Sequence, residues 1–82
     1  MQIKIVWRNL IPGDVREAEK TKEIEIDDPY ETTTADVERD AVLDTPPGYY
    51  LSKILFPGIT FQYDRHGKKE EKRDIDNYKF TN

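Results

Sequence analysis

The side chains that could act as a nucleophile or a general base are few. Ser52 is the only serine, His66 is the only histidine, and the 82 residues contain no cysteine. Ser52 lies within an apolar run, and His66 lies in a charged stretch where no fixed neighbour can orient its ring. The sequence therefore predicts no serine or cysteine catalytic site and no thiolate metal site, and we expect no enzyme activity.

Carboxylates are dense in a short segment and raise the question of a divalent cation site. They are Glu23, Glu25, Asp27, Asp28 and Glu31. Alternation along a strand sends successive side chains to opposite faces, and the sequence contains no Asp-x-Asp-x-Asp-Gly loop of the kind that binds calcium. We interpret these acids as a solvated face and expect neither a bound metal nor a cofactor.

Acidic residues are concentrated in one third of the chain. Residues 14–44 hold twelve acids and four bases and carry −8, whereas the other 51 residues carry +4, which returns the net charge of −4. A local excess of negative charge speeds encounter with basic surfaces, and tyrosine buries a large area at small entropic cost. We expect a protein partner on an acidic face with tyrosine anchors, formed by Glu23, Glu25, Asp27, Asp36, Asp40, Tyr49 and Tyr50.

These features favour a non-catalytic module that binds or modulates another protein, of the kind that phages and plasmids encode. A nucleic-acid function is the alternative: the acids of 14–44 could mimic phosphates, or the segment 65–73 could bind nucleic acid beside Phe61 and Tyr63. The basic residues of that segment are Arg65, Lys68, Lys69, Lys72 and Arg73. An isoelectric point near 4.9 makes direct nucleic-acid binding the weaker hypothesis.

Four strands are indicated by period-two alternation or by an apolar run. They span residues 2–7, 22–27, 49–56 and 59–63. The run 49–56 is apolar on both faces, which predicts a central strand covered on each side. Pro57-Gly58 predicts a hairpin turn between the last two strands. Ile75, Tyr78 and Phe80 indicate a weak final strand.

One helix is predicted over 34–43. Thr33, followed by Asp36 three residues later, approximates a capping box, and Pro46-Pro47-Gly48 ends the helical pattern. Segment 13–22 is predicted as a charged loop, with a short helix as the alternative. Segment 65–73 has no apolar residue and is predicted as a mobile charged loop.

Together these elements predict one small α+β domain over residues 1–82, with a four- or five-stranded sheet and one short helix. The element order resembles that of β-grasp, ubiquitin-like domains, which implies a mixed sheet beneath the helix; a small SH3-like barrel is the alternative. The sequence has no apolar run of 18 residues and no signal peptide, so we expect a cytoplasmic protein. The predicted core is Ile3, Ile5, Trp7, Ile24, Ile26, Val37, Leu51, Leu55, Ile59 and Phe61.

Overall fold

The computed structural model describes residues 1–11, 13, 17–27 and 33–73. Within them, two strands, a helix and three further strands follow one another along the chain. They are β1 (Gln2–Asn9), β2 (Glu19–Glu25), α1 (Thr34–Leu43), β3 (Tyr49–Phe56), β4 (Ile59–Tyr63) and β5 (Lys69–Arg73).

The strands form one sheet in the order β2-β1-β3-β4-β5. Every neighbouring pair is antiparallel, and α1 forms the chain connection from β2, at one edge, to β3 in the centre. The predicted α+β domain with one short helix is therefore confirmed. The sheet is wholly antiparallel where the β-grasp resemblance implied a mixed one. The barrel alternative is wrong, because β2 and β5 remain separate edges of an open sheet.

Helix α1 begins where the sequence predicted because Thr33 caps it. The Thr33 hydroxyl accepts the Asp36 backbone N–H at 3.2 Å, and the Asp36 carboxylate accepts the Thr33 backbone N–H at 3.2 Å. These two bonds satisfy the Thr33 N–H and supplement the bond from the Asp36 N–H to the Thr33 carbonyl at the start of the helix. Val37 and Ala41 are the buried residues of the helix, and they hold it against the sheet.

The core lies between α1 and the sheet face below it. Ile3, Ile5 and Trp7 alternate along β1 and are nearly inaccessible, as the period-two pattern predicted. Ile24, Ile59 and Tyr63 pack at the margin of this core and are only partly buried. The buried cluster consists of Ile3, Ile5, Trp7, Ile26, Val37, Ala41, Tyr49, Leu51, Ile54, Phe56 and Phe61.

Leu55 is the predicted core residue that the structure places elsewhere. The pairing of β1 with β3 shifts between Val6 and Trp7, so that Trp7 lies opposite Leu51 while Val6 lies opposite Lys53. Ser52 is the extra residue of this β-bulge, and an extra residue exchanges the faces of all residues beyond it. Ile54 and Phe56 therefore enter the core, and Leu55 is 36% exposed. The prediction that 49–56 is covered on both faces is wrong for the same reason.

The ends of three predicted segments also differ from the sequence interpretation. β2 begins at Glu19, within the segment predicted as a loop or short helix, and ends at Glu25. β5 occupies Lys69–Arg73, so much of the predicted loop 65–73 is a strand paired with β4. The predicted final strand with Ile75, Tyr78 and Phe80 lies outside the described residues.

Candidate functional site

A groove lies between α1 and the edge strand β2. It has a volume of about 320 Å³. Its apolar lining comes from Ile5, Ile24 and Val37, together with Ile26 just beyond β2. The polar lining comes from Lys22, Asp40 and Asp44, and the Lys22 ammonium lies 3.2 Å from the Asp44 carboxylate. Leu43, 76% exposed, also borders the groove, which therefore combines apolar walls with two carboxylates.

Beside this groove, the backbone of β2 has an edge with which no other strand of the described residues pairs. The Ile26 N–H donates to the Met1 carbonyl at 2.8 Å and the Asn9 N–H to the Ala18 carbonyl at 2.9 Å. Hydrogen-bonded and non-bonded pairs alternate in an antiparallel ladder. The two bonds and the residue pairs between them therefore determine which β2 amides point toward β1 and which point away from it. Lys20, Lys22 and Ile24 bond to β1. The N–H and C=O groups of Glu19, Thr21, Glu23 and Glu25 point away from the sheet.

The glutamates of β2 lie on the sheet face opposite α1. Ile24 pairs with Ile3 of the core, so Glu23 and Glu25, on either side of Ile24, project from the other face. Both are exposed. Glu23 lies opposite Lys4 but within 4 Å of no cation in the described part of the chain. The Glu25 carboxylate accepts a hydrogen bond from the Met1 amino group at 2.8 Å.

The other predicted acidic residues divide between local structure and exposed surface. Hydrogen bonds from Thr33 hold the pKa of the Asp36 carboxyl below its usual range, and Arg39 lies 3.4 Å away. Asp36 therefore has a structural function in the helix cap. Asp27 is exposed just beyond β2, and Asp40 is exposed on α1 beside the groove. Asp28 and Glu31 lie outside the described residues.

The two predicted tyrosine anchors have different environments. Tyr49 is 5% exposed, its hydroxyl donates to the Glu17 carbonyl at 2.7 Å, and the Lys20 ammonium lies 5.2 Å from its ring centroid. Tyr49 is therefore a core residue that connects β3 to the segment before β2. Tyr50 is half-buried and lines a second groove, of about 520 Å³, between α1 and the strands β3 and β4.

Three polar side chains meet at one end of this second groove. The Tyr63 hydroxyl donates to the Glu38 carboxylate, and the Lys69 ammonium lies 3.0 Å from the same carboxylate. Lys69 also lies 4.0 Å from the Phe61 ring centroid, a cation–π distance. The cluster therefore joins α1 to β4 and β5.

Burial and hydrogen bonds shift two pKa values of this cluster in opposite directions. Burial, followed by the hydrogen bond to Glu38, raises the pKa of Tyr63 far above its usual value. Burial alone would raise the pKa of Glu38, but the hydrogen bonds from Tyr63 and Lys69 outweigh it and lower that pKa. Tyr63 remains a protonated donor and Glu38 a charged acceptor near neutral pH. Glu38 thus forms an ion pair with Lys69 and accepts a hydrogen bond from the neutral Tyr63 hydroxyl.

The basic residues of 65–73 do not converge on one surface. The carboxylate of Asp64 accepts the backbone N–H groups of His66 and Lys68, each at 2.9 Å, and closes the β4–β5 turn. Lys69 lies opposite Tyr63 and Lys72 opposite Thr60, so these two lysines project from opposite faces of the sheet. Lys69 is also engaged by Glu38.

Within the described residues, no group of three His, Asp or Glu side chains is arranged to hold a metal ion. Ser52 is buried in the bulge of β3, whereas His66 is exposed in the β4–β5 turn. In the described part of the chain, no helix is long and apolar enough to cross a membrane.

Sequence reasoning found the acids but missed the groove. Lys22, Ile24, Leu43 and Asp44 carry no special motif, and only the packing of α1 beside β2 brings them together. The alternation of β2 was visible in the sequence. Its position at the sheet edge was not, because edge or centre depends on which strands pair.

No protein-family model, no curated protein and no solved structure matches the chain.

Proposed function

We propose that the chain is a non-catalytic, cytoplasmic protein-binding module that recognises a basic partner with the acidic surface around β2 and α1. One observation carries this proposal: the groove lies beside the β2 edge that no described strand pairs with, and it combines apolar walls with the exposed Asp40 carboxylate and the Lys22–Asp44 ion pair. Apolar area supplies binding free energy and charges select the partner. Glu23 adds negative charge to the same edge strand.

The end of α1 strengthens the acidic character of this surface. The last turn of α1 contains no basic residue, so the partial negative charge of the helix C-terminus is not offset within the helix. Asp44 follows the helix directly as its C-cap. A partner that presents lysine or arginine at this end of the helix would interact with the Asp40 carboxylate and the helix dipole, because Lys22 already pairs with Asp44.

Charge reversal of two residues tests the proposal. Glu23→Lys with Asp40→Lys removes negative charge from the surface without touching the helix cap or the Met1 contact of Glu25. The wild-type chain of 82 residues is used to capture partners from native-host extract, and each captured protein is then tested in purified form. We expect the double variant to associate at least about tenfold more slowly, since steering acts on encounter, and we expect wild-type association to slow as salt rises.

A matched control reverses basic residues instead. Lys68→Glu with Lys72→Glu changes charge by the same amount outside the groove, and association should be nearly unchanged. The same proteins are titrated with single-stranded and duplex oligonucleotides at low salt. Micromolar oligonucleotide binding that the lysine reversal abolishes would contradict the proposal and support a nucleic-acid function.

A further inference from the structure

We infer that the β2 edge accepts an extended basic segment of a partner protein as a sixth strand of the sheet. This inference rests on the proposed protein-binding function and specifies how the partner binds and what its bound segment contains. The bound segment would carry lysine or arginine at alternate positions, with apolar residues between them.

The backbone of β2 offers main-chain donors and acceptors to a further strand. The N–H and C=O groups of Glu19, Thr21, Glu23 and Glu25 point outward from the register of β2 on β1, and no other strand of the described residues pairs with that edge. Such a row of donors and acceptors is the surface to which extended peptides add by main-chain hydrogen bonds. The edge is seven residues long.

Charge on the outer face specifies one half of the partner's side chains. The side chains of Glu19, Thr21, Glu23 and Glu25 share that face, and three of the four are acidic. Residues directly opposite each other on neighbouring strands have Cβ atoms roughly 4.5–5.5 Å apart. Glu25 and Glu19 already contact the Met1 amino group and Arg8, so lysine or arginine opposite Glu23 would be the most favourable, whereas acidic residues there would be repelled.

The helix-side groove specifies the other half. Alternate side chains of an added strand project toward α1, where Ile24, Ile26 and Leu43 border the groove of about 320 Å³. Ile24 is only partly buried by the chain itself. Apolar side chains at these alternate positions would cover it, and area removed from water is stabilising by about 25 cal/mol per Å².

A second copy of this chain does not fit the same edge. In a symmetric antiparallel pairing, paired residues share a face, so the two paired numbers differ by an even number. The sequence of β2 is EKTKEIE, and each such register of five or more residues places like charges directly opposite one another. Either Glu19 faces Glu23 or Glu25 of the copy, or Glu23 faces itself. A symmetric dimer through β2 is therefore disfavoured, and the occupant that we infer is a different chain.

The opposite edge is less selective. β5 has the sequence KEEKR, and each face of this strand carries both positively and negatively charged side chains. Such an edge favours neither a basic nor an acidic strand, which makes β5 the internal control.

A defined peptide tests the inference with full-length protein. The probe is a synthetic peptide of about nine residues, the upper range of a typical strand, in which lysine alternates with valine. The measurement is amide hydrogen exchange by NMR, with and without peptide. We expect Thr21, Glu23 and Glu25 to exchange rapidly in the free protein and at least about tenfold more slowly with peptide, because an added strand protects these amides.

Matched peptides and variants separate strand addition from general charge attraction. Replacing lysine by glutamate in the peptide should abolish protection. One further peptide carries N-methyl groups on its lysines and another carries them on its valines. Only the peptide whose methylated amides face β2 should lose binding. Thr21→Pro removes an outward N–H and should abolish binding while Trp7 fluorescence confirms folding. Glu23→Lys should weaken binding about tenfold, whereas Glu70→Lys on β5 should not.

The outcomes distinguish the inference from the proposed function. Absence of peptide binding, unchanged exchange at Thr21 and Glu23, or equal binding by both N-methylated peptides would each overturn strand addition. If Glu23→Lys with Asp40→Lys still weakens binding of the captured partner, the protein-binding function would stand without strand addition. Absence of that weakening would overturn the function itself.

Discussion

Trp7 joins the two layers of the molecule at the scale of a single residue. Its ring is 4% exposed, and its indole N–H donates to the Ala41 carbonyl of α1 at 3.2 Å. The Thr45 hydroxyl donates to the same carbonyl at 3.1 Å. The indole therefore contributes both buried area and a bond between sheet and helix.

Replacing Trp7 should reveal how much of the core depends on it. Trp7→Ala is expected to lower the free energy of unfolding by about 3–5 kcal/mol, since it removes a large buried ring and leaves a cavity. Trp7→Phe should cost less, because the ring volume is largely kept and Thr45 still satisfies the Ala41 carbonyl. Urea unfolding measures both changes. A native wild-type emission spectrum typical of fully solvated tryptophan would contradict the assigned burial.

The Glu38–Tyr63 bond should make stability depend on pH in two windows. The pKa of Glu38 is lowered in the folded protein, so its contribution is present above the unfolded value and is lost as pH falls through the folded one. The pKa of Tyr63 is raised, so its contribution is complete below about pH 10 and is lost at higher pH.

Tyr63→Phe tests both windows. The variant should be less stable than wild type at neutral pH, by about 1 kcal/mol for one hydrogen bond to a charged group near the surface. The difference should shrink below pH 4 and above about pH 10, as Glu38 becomes protonated or Tyr63 ionises. Chemical unfolding across the pH range measures it. A difference that stays constant with pH would contradict the bond.

At the scale of elements, the β-bulge of β3 decides which residues form the core. The extra residue at Ser52 exchanges the faces of β3 relative to β1, so Ile54 and Phe56, not Leu55, pack under α1. The apolar residues on both sides of this bulge had suggested two covered faces. One face instead carries Lys53 and Leu55, both exposed.

Strand β5 should matter more than its composition suggests. All five residues are exposed, yet β5 pairs with β4, and Lys69 bridges to Glu38 and covers the Phe61 ring. Replacing residues 65–68 with a two-residue hairpin turn should change stability by under about 1 kcal/mol. Replacing 69–73 with a glycine–serine repeat should cost at least about 2 kcal/mol. Equal small effects in urea unfolding would show that β5 contributes nothing.

For the whole molecule, the distribution of charge matters more than its total. The chain carries −4, yet Lys22, Arg39 and Lys69 are each paired with a carboxylate of the described chain. Such pairs reduce the positive charge available on the helix side of the sheet. Negative charge on β2 also disfavours self-association, as charged edge strands do in general.

The protein is therefore predicted to be monomeric. Sedimentation velocity should show one species of the monomer mass, 9.7 kDa, up to about 100 μM, because each symmetric pairing of β2 opposes like charges. The measurement is made at moderate salt, where nonspecific repulsion is screened. A concentration-dependent dimer whose β2 amides are protected from exchange would show that two copies pair through β2 and would contradict this prediction.

The sequence by itself determined the elements whose signals are local. Thr33 and Asp36 located the start of α1, and the alternation of Ile3, Ile5 and Trp7 located the buried face of β1, because capping and period-two burial depend on neighbours in the chain. The sequence also indicated a small α+β domain. Its dense negative charge singled out Glu23 and Asp40, which lie at the proposed binding surface.

Only the tertiary structure decided which elements meet and which edges stay unpaired. The groove requires Ile24 and Asp40, sixteen positions apart, to lie together, and the bulge at Ser52 requires β1 to pair with β3. Both depend on long-range pairing, which leaves no periodic signal in the strand concerned. The charged composition of β5 concealed a strand for the same reason: its order comes from pairing with β4 and from the contact of Lys69 with Glu38 rather than from apolar side chains of its own.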